Sequence, residues 1–328
     1  MLFSHYMHEW LYGTDGYYSH YKPIGKGGDF YTAVSTSRFF GASIANFIYQ
    51  QIQEGKIDKN SYLIEIGAHQ GYLICDMIQW LYSCDASLVE SMKFAIVERM
   101  PHLQKIQQEY IYSRFGDDVK VEFFDDISEV RVDSAVVVAN EIFDAFACEL
   151  LKDKKIAKVY DHKIELEDAS SDILEFASRY HLRQGEIAVG YEKFAKDMAE
   201  GIKRCDFISF DYGEKYVRND FSIRLYHQHQ TFPLFDKEVV LKESFKRDDI
   251  TYDVNFAHVI DAFEDSGFKL EKYETQARAL IRFGIIEILE MFMKQTTPAK
   301  YAKEADKIKT LIAPTMMGDK FKMVHFKN

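Results

Sequence analysis

The chain has 328 residues, with 41 Lys or Arg against 52 Asp or Glu, and carries a formal net charge of −11. Nucleic-acid binders draw most of their affinity from basic side chains on phosphate, so this acidic balance argues against that class of protein. A hydrophobic content of 47% argues against a disordered chain.

After a short N-terminal helix within residues 1–12 and a glycine-rich loop, hydrophobic periodicity predicts alternating helices and strands. The predicted helices cover residues 37–52, 72–83, 101–115 and 256–266. The predicted strands cover residues 62–66, 93–98, 119–124, 134–139, 206–210, 268–273 and 320–326. Helices between strands favour a parallel sheet with right-handed crossovers, so we predict an α/β fold with a Rossmann-like, mostly parallel sheet of seven strands.

Two stretches do not fit a minimal sheet of this kind. Residues 147–204 are rich in charge, with a predicted β-ribbon over 158–166 and helices after it. Residues 277–309 show the pattern of an amphipathic helix pair, broken at Thr296-Thr297-Pro298. We therefore predict four regions: an N-terminal helical extension and lid over 1–60, a core over 61–146 and 205–328, an insertion over 147–204, and a helical layer over 277–312.

Cysteine usage and the N-terminal residues favour a reducing compartment. The four cysteines lie far apart and form no Cys-x-x-Cys pair, so we expect neither disulfides nor a zinc site. The N-terminal residues have neither the basic start of a secretory signal nor the Arg-rich pattern of a transit peptide. No uncharged run approaches the roughly 20 residues that span a bilayer. We expect a cytoplasmic protein with no membrane span and no metal.

The segment Glu65–Gly71 follows a predicted strand and opens a predicted helix. Gly67 and Gly71 would let the backbone turn sharply and approach a ligand, and the helix start adds a positive end. Nucleotide-binding loops and methyltransferase loops share this arrangement. Turn and packing glycines are the alternative interpretation.

Acidic side chains follow the next two strands. Glu98 lies 31 positions after Gly67, where an acid accepts hydrogen bonds from ribose hydroxyls; the alternative is an acid at a helix start. Asp125 and Asp126 follow the third strand, where they could hold an adenine amino group or cap a turn.

Further polar groups end the fourth and fifth strands. Asn140, Glu141 and Asp144 follow the most apolar strand, and Asp211 ends the fifth. Unpaired buried carboxylates are costly, so these residues suit an active site better than a core. A helix cap by Asn140 is the alternative. For His227-Gln228-His229 we expect a surface loop, because no acidic side chain stands nearby to complete a ligand set, and a metal site is the alternative.

Together these motifs resemble the MidA family of S-adenosylmethionine-dependent methyltransferases. The matching pieces run in order along nearly the whole chain: Gly27–Ala33, Glu65–Gly71, Ile96–Glu98 with Leu103 and Gln107, Asn140–Ala145, Asp211–Gly213, Arg224 with Tyr226 and His229, Asp249–Thr251, and Met317-Gly318. Mitochondrial members of the family assist assembly of respiratory complex I and act as protein arginine methyltransferases. The chain departs from the family pattern at His69, at Val34-Ser35 and at Asp253–Phe256.

The resemblance implies a class I methyltransferase fold, S-adenosyl-L-methionine as cofactor, and a protein acceptor, with a respiratory complex subunit as a candidate. The cofactor-binding residues that we predict are Gly28, Asp29, Thr32, Ser37, Glu65, Gly67, His69, Gly71, Glu98, Asp126, Ile127 and Asn140. Glu141 and Asp144 are predicted to orient an arginine guanidinium, with Asp211 in support. The helical layer and the insertion are expected on the acceptor side.

Two other functions stay open on the sequence. One is an assembly or scaffold protein that keeps the fold without catalysis, for which His69 in the cofactor loop is the support. The other is a dinucleotide-dependent oxidoreductase on a similar sheet.

Overall fold

The computed structural model describes residues 1–20, 32–228 and 230–328, which fall into two compact units. Of these residues, the first unit takes in 1–20, Ile142–Lys193 and Tyr212–Asp265. The second unit takes in 32–141, Phe194–Asp211 and Ser266–Asn328. The predicted division into four regions is not tested by these units and stays a prediction.

The helices of the described residues are α1 (Phe3–Tyr12), α2 (Ala33–Thr36), α3 (Phe39–Gln53), α4 (Tyr72–Cys84), α5 (Ala86–Ser91), α6 (Pro101–Phe115), α7 (Ser171–Arg179), α8 (Tyr191–Gly201), α9 (Leu241–Ser244), α10 (Phe256–Asp265), α11 (Gln276–Arg282), α12 (Ile285–Met293) and α13 (Pro298–Ile312). None of these helices has both the length and the apolar character that a membrane crossing requires.

The strands are β1 (Tyr62–Ile66), β2 (Lys93–Val97), β3 (Val121–Phe124), β4 (Ala135–Asn140), β5 (Cys148–Lys152), β6 (Lys155–Tyr160), β7 (Lys163–Asp168), β8 (Gln184–Ala188), β9 (Cys205–Glu214), β10 (Arg224–His227), β11 (Gln230–Pro233), β12 (Asp249–Thr251), β13 (Val254–Asn255), β14 (Lys269–Thr275) and β15 (Phe321–Lys327).

The second unit is built on seven strands in the order β14-β15-β9-β4-β1-β2-β3, and β13 pairs parallel with the end of β9 as an eighth strand of the sheet. The pairs from β9 through β3 are parallel, and β14 pairs with β15 antiparallel. This confirms the predicted mostly parallel, Rossmann-like sheet. The chain runs from β1 to β2 and β3 on one side and places β4 on the other, so the strand order reverses at β1. Open α/β sheets bind ligands beside such a reversal, at the carboxyl ends of the strands.

Burial explains why these segments are strands and helices. The first five residues of β4 are buried, as expected for a central parallel strand that is covered on both faces. Apolar residues of α3 and α4 join the same core, among them Phe40, Ile44, Ile74 and Ile78. Pro101 stands at the first position of α6, where its missing N–H costs nothing, and Gly116 follows the last.

The first unit contains two antiparallel sheets. One has the order β7-β6-β5-β8 and the other the order β11-β10-β12. The predicted β-ribbon over 158–166 lies within the β6–β7 hairpin, and β5 and β8 extend it into a sheet that the sequence did not predict. A small core supports this sheet, made by Leu151, Ala177, Leu182 and Ile187.

The helix pair predicted over 277–309 is wrong in one respect, because this stretch contains three helices. Gly284 has a φ of +88° and separates α11 from α12. A Cβ at this position would lie 2.7 Å from the Asn46 amide nitrogen, so glycine is also the residue that fits. The predicted break at Thr297 and Pro298 is confirmed as the start of α13.

Candidate cofactor and acceptor sites

The loop between β1 and α4 follows a path that suits glycine. Gly67 and Gly71 have φ values of +69° and +77°, in the left-handed region that glycine adopts freely. His69 also has a positive φ of +47°, which histidine tolerates better than most residues. The Gly67 amide donates to the Val97 carbonyl oxygen at 3.0 Å, and Gly67 is exposed. The loop therefore keeps an accessible, glycine-like backbone even where histidine replaces glycine.

Glu65 anchors this loop from within the sheet. Its side chain is buried, and its Oε2 atom accepts a hydrogen bond from the Ile74 amide, in the first turn of α4, at 2.8 Å. Burial raises the pKa of Glu65 to about 8. Among the residues predicted to bind the cofactor, Glu65 thus contacts the helix start that shapes the loop.

Glu98 follows β2 and accepts hydrogen bonds from the turn after it and from α6. Its Oε1 accepts from the Met100 amide at 3.0 Å, and its Oε2 accepts from Gln107 Nε2 at 3.2 Å. Burial raises the pKa of Glu98, and these hydrogen bonds act in the opposite direction. A carboxylate has about four acceptor sites, so this one can accept further bonds from a ligand.

The acids after β3 have local partners. Asp126 accepts from the Ser128 amide at 2.9 Å and from its hydroxyl at 2.6 Å, which caps the 3₁₀ turn that begins at the buried Ile127. Asp125 accepts from the Gln104 side chain at 2.8 Å. The contacts of Asp126 with Ser128 are those of a residue that caps a turn, which was the alternative interpretation of Asp126.

The N-terminal candidates are only partly described. Thr32 and Ser35 form a reciprocal capping box at the start of α2, with N···O distances of 2.9 and 3.1 Å. Ser37 is buried, and its hydroxyl lies 3.3 Å from the Phe39 amide. Gly28 and Asp29, predicted to close over the cofactor, lie outside the described residues, as does His229.

Register brings the ends of the central strands together. Ile66 pairs with Val97 on one side and with Ala139 on the other. The loop that begins at Gly67 and the side chain of Glu98 therefore leave the sheet at the edge where β4 ends.

At that edge the ends of β4 and β9 carry the predicted polar groups. The Asn140 side chain donates to Glu141 Oε1 at 2.7 Å, and the Glu141 amide donates to the Phe210 carbonyl at 2.8 Å. Glu141 has a φ of +55°, and Asp211 is fully buried. The Asn140 Oδ1 atom is buried and has no hydrogen-bond partner among the described residues. An unsatisfied acceptor and carboxylates at one edge suit a ligand that carries amino, hydroxyl or guanidinium donors.

Asp144, the third predicted catalytic acid, belongs to the first unit. It lies buried in a 3₁₀ turn, where Tyr212 Oη is 2.5 Å from its Oδ2 and 2.5 Å from Thr251 Oγ1. Burial raises the pKa of Asp144 from 3.8 to about 6, while the Tyr212 hydrogen bond acts to lower it. The alternative interpretation, a helix cap by Asn140, does not apply to this turn, because the residue that precedes it is Ile142.

In the same unit, Arg224 packs against the ring of Tyr212 and contacts two further side chains. The Arg224 guanidinium lies 4.7 Å from the centre of the Tyr212 ring, and its Nη1 donates to Asp253 at 2.6 Å. Arg224 Nε donates to Tyr226 Oη at 3.0 Å. No functional role was predicted for Tyr212, Arg224 or Asp253, although all three lie in or beside the motifs that resemble the family pattern.

The described residues contain no cluster of three or more His, Cys, Asp or Glu that could hold a metal ion. His227, for which a metal site was the alternative to a surface loop, has its Nδ1 atom 2.8 Å from Asp248 Oδ1.

Comparison with known proteins adds a family to this geometry. A family model described as "Putative S-adenosyl-L-methionine-dependent methyltransferase" matches residues 43–274. A protein from Xenopus tropicalis named "Protein arginine methyltransferase NDUFAF7, mitochondrial" is 27% identical over 180 residues, which is 46% of this chain and 40% of that protein. Its Xenopus laevis counterpart is 28% identical over 166 residues, 43% of this chain and 37% of that protein. The matched region thus spans less than half of these relatives.

Solved structures extend the likeness over the whole chain. A crystal structure from Burkholderia thailandensis, described as a "likely methyl transferase" bound to S-adenosyl-homocysteine, has a TM-score of 0.86 at 24% identity and covers 100% of this chain and 88% of its own. A second structure from that organism has a TM-score of 0.82 at 22% identity, with coverage of 100% and 87%. At these identities the likeness establishes the fold. Because the family model covers more than half of the sequence, the resemblance is confirmed: the chain belongs to the S-adenosyl-L-methionine-dependent methyltransferase family.

Proposed function

We propose that this methyltransferase transfers the methyl group of S-adenosyl-L-methionine to an arginine guanidinium nitrogen of a protein. The observation that carries the proposal is the strand register, which sets the Gly67 loop, Glu98 and Glu141 at the ends of three adjacent strands. The name of the Xenopus relatives supports arginine as the acceptor.

The residues present fit the cofactor by their chemistry. The backbone of Gly67–Gly71 would receive the methionine part, Glu98 the ribose hydroxyls, and Asp126 with Ile127 the adenine. The unsatisfied Asn140 Oδ1 suits an ammonium or hydroxyl donor. When bound, S-adenosyl-L-methionine supplies an electrophilic methyl group on a sulfonium.

The carboxylates of the second unit suit a guanidinium. Its planar donors match carboxylate oxygens, and Glu141 is already oriented by the Asn140 amide. In the proposed reaction the arginine nitrogen forms a bond to the methyl carbon as the sulfur–carbon bond breaks. The nitrogen's proton passes to the Glu141 carboxylate, and Asp211 supports the remaining positive charge. Orientation of this kind can lower a barrier by several kcal/mol.

Asp144 was predicted beside Glu141 in this role, and that role stays a prediction. The acidic balance of the chain also favours a basic acceptor segment.

The test is methyl transfer from labelled S-adenosyl-L-methionine into a lysate, with mass spectrometry of the modified residues. We expect methylated arginine with the wild type. Glu141→Gln should lower incorporation by roughly 100-fold, as expected for loss of a proton acceptor, and should change S-adenosylhomocysteine affinity by less than about threefold. The exposed Glu109 gives a matched control, and Glu109→Gln should keep the wild-type rate. Wild-type incorporation by Glu141→Gln would remove Glu141 from this role, and methyl groups on residues other than arginine would refute the proposed acceptor.

A scaffold that has lost catalysis is the second candidate, and His69 is the observation behind it. The positive φ of His69 favours the enzyme, because the loop keeps the conformation that glycine would give. Calorimetry with S-adenosyl-L-methionine separates the two candidates. The scaffold predicts no binding, whereas the enzyme predicts binding that Gly67→Val abolishes, since a β-branched residue is strained at a φ of +69°.

A further inference from the structure

One buried amide connects the two parts of the candidate cofactor site. Gln107 lies on α6 with no exposed surface. Its Nε2 donates to the His69 carbonyl oxygen at 3.0 Å and to Glu98 Oε2 at 3.2 Å. The same side chain lines the turn at Gly71, where a Cβ would contact its Cβ and Cγ at 3.7 Å.

The amide of Gln107 has a single workable orientation. Its Oε1 atom is buried and has no hydrogen-bond partner in the part of the chain that the structure describes. Turning the amide over would place this oxygen against two other oxygens, those of His69 and Glu98, and would remove both donated bonds. An unsatisfied buried oxygen is costly. Its presence indicates that the two bonds from Nε2 determine the conformation.

We infer that Gln107 is a positioning residue for the cofactor, which fixes the loop at His69 and the carboxylate of Glu98 relative to each other. The inference rests on the proposed role of Glu98 as the acceptor for the ribose hydroxyls. Gln107 turns one oxygen of Glu98 toward α6, so the remaining lone pairs of the carboxylate stay available in a fixed direction. The same amide holds the loop backbone that would receive the methionine part.

Calorimetry with two ligands tests this inference without any turnover. The ligands are S-adenosylhomocysteine and its 2′-deoxyribose analogue. The analogue lacks one of the hydroxyls from which Glu98 would accept a hydrogen bond. Gln107→Met keeps the length of the side chain and removes both donors. We expect Gln107→Met to weaken S-adenosylhomocysteine roughly tenfold or more. We also expect the preference for the ribose ligand over its deoxy analogue, about tenfold in the wild type, to fall below about threefold.

The neighbouring Gln108 is exposed on the same helix, so Gln108→Met is the matched control and should bind both ligands as the wild type does. Wild-type affinity in Gln107→Met would overturn the inference. An equal loss of both ligands, with the preference retained, would also overturn it, because that result marks a structural role alone.

Two further variants keep the outcome decisive. If Gln107→Met does not fold, Gln107→Glu is measured in its place. This variant puts a second carboxyl group next to that of Glu98 and should remove the preference for the ribose ligand. A retained preference overturns the inference. Glu98→Gln examines the proposed ribose role separately. If Glu98→Gln keeps the preference, the role of Glu98 is wrong, whereas a loss in Glu98→Gln together with no loss at Gln107 refutes only the positioning role.

Discussion

Replacing Tyr212 by phenylalanine tests the buried carboxylate of the first unit. The change removes one hydroxyl, which lies 2.5 Å from Asp144 Oδ2. A hydrogen bond to a charged group contributes about 1.5–3 kcal/mol to stability, and one between neutral groups about 0.5–1.5 kcal/mol. The charge of Asp144 therefore decides how much stability the variant loses.

The pKa of Asp144 gives this loss a defined pH dependence. Burial raises the pKa of Asp144 from its ordinary 3.8 to about 6 in the folded wild type, so wild-type stability falls as the pH rises through this range. Removing the Tyr212 donor raises the folded pKa further. The variant then continues to lose stability above pH 6, at about 1.4 kcal/mol for each unit of additional pKa shift. We expect a deficit of about 1 kcal/mol at pH 5 that grows to about 2–3 kcal/mol at pH 8.

Urea unfolding at pH 5 and pH 8 measures the deficit. Tyr252→Phe is the matched control, because the Tyr252 hydroxyl is buried in the same unit and donates at 3.3 Å to the carbonyl of Phe143, which does not titrate. Its deficit should be the same at both pH values. If Tyr212→Phe loses the same stability at pH 5 as at pH 8, Tyr212 does not stabilise a charged Asp144.

Two further changes test the fold around the site. Gly213→Ala should lower the free energy of unfolding in urea by more than about 2 kcal/mol, because a Cβ there would lie 2.1 Å from the Val254 carbonyl oxygen at a φ of +149°. Gly55 has a φ of +69° and no atom within 4 Å of such a Cβ, so the control Gly55→Ala should lower it by only about 1 kcal/mol. Equal losses in the two variants would contradict the packing argument. The folded pKa of about 8 for Glu65 makes the wild type lose up to about 1.4 kcal/mol of stability per pH unit between pH 4.5 and 8. Glu65→Gln should therefore flatten the pH dependence of stability. A slope unchanged by the substitution would show that Glu65 is not the titrating group.

The central sheet could be predicted because buried parallel strands have simple sequences. The predicted strand over 134–139 is apolar from Ala135 to Ala139, and α6 begins and ends where Pro101 and Gly116 indicate. The first unit was harder to predict. β8 contains Gln184, Gly185 and Glu186, and no apolar alternation distinguishes it from a loop.

The candidate site was predictable only as far as residues lie at strand ends. Glu98 and Glu141 follow apolar strands, so their position alone indicated the cleft. The bonds of Gln107 join residues 38 and 9 positions away along the chain, and Tyr212 meets Asp144 across 68 positions. Such contacts arise from tertiary packing, and no local sequence pattern predicts them. Gln107 and Tyr212 therefore appeared in the sequence only as parts of matched motifs.

A crystal structure of the protein with S-adenosylhomocysteine is the most direct test of the central claim, that the cofactor binds where β1, β2 and β4 end. We predict ribose hydroxyls within hydrogen-bond distance of the Glu98 carboxylate and the homocysteine part along the backbone of Gly67–Gly71. Density for the ligand at any other place, or a ribose with no contact to Glu98, would contradict this account.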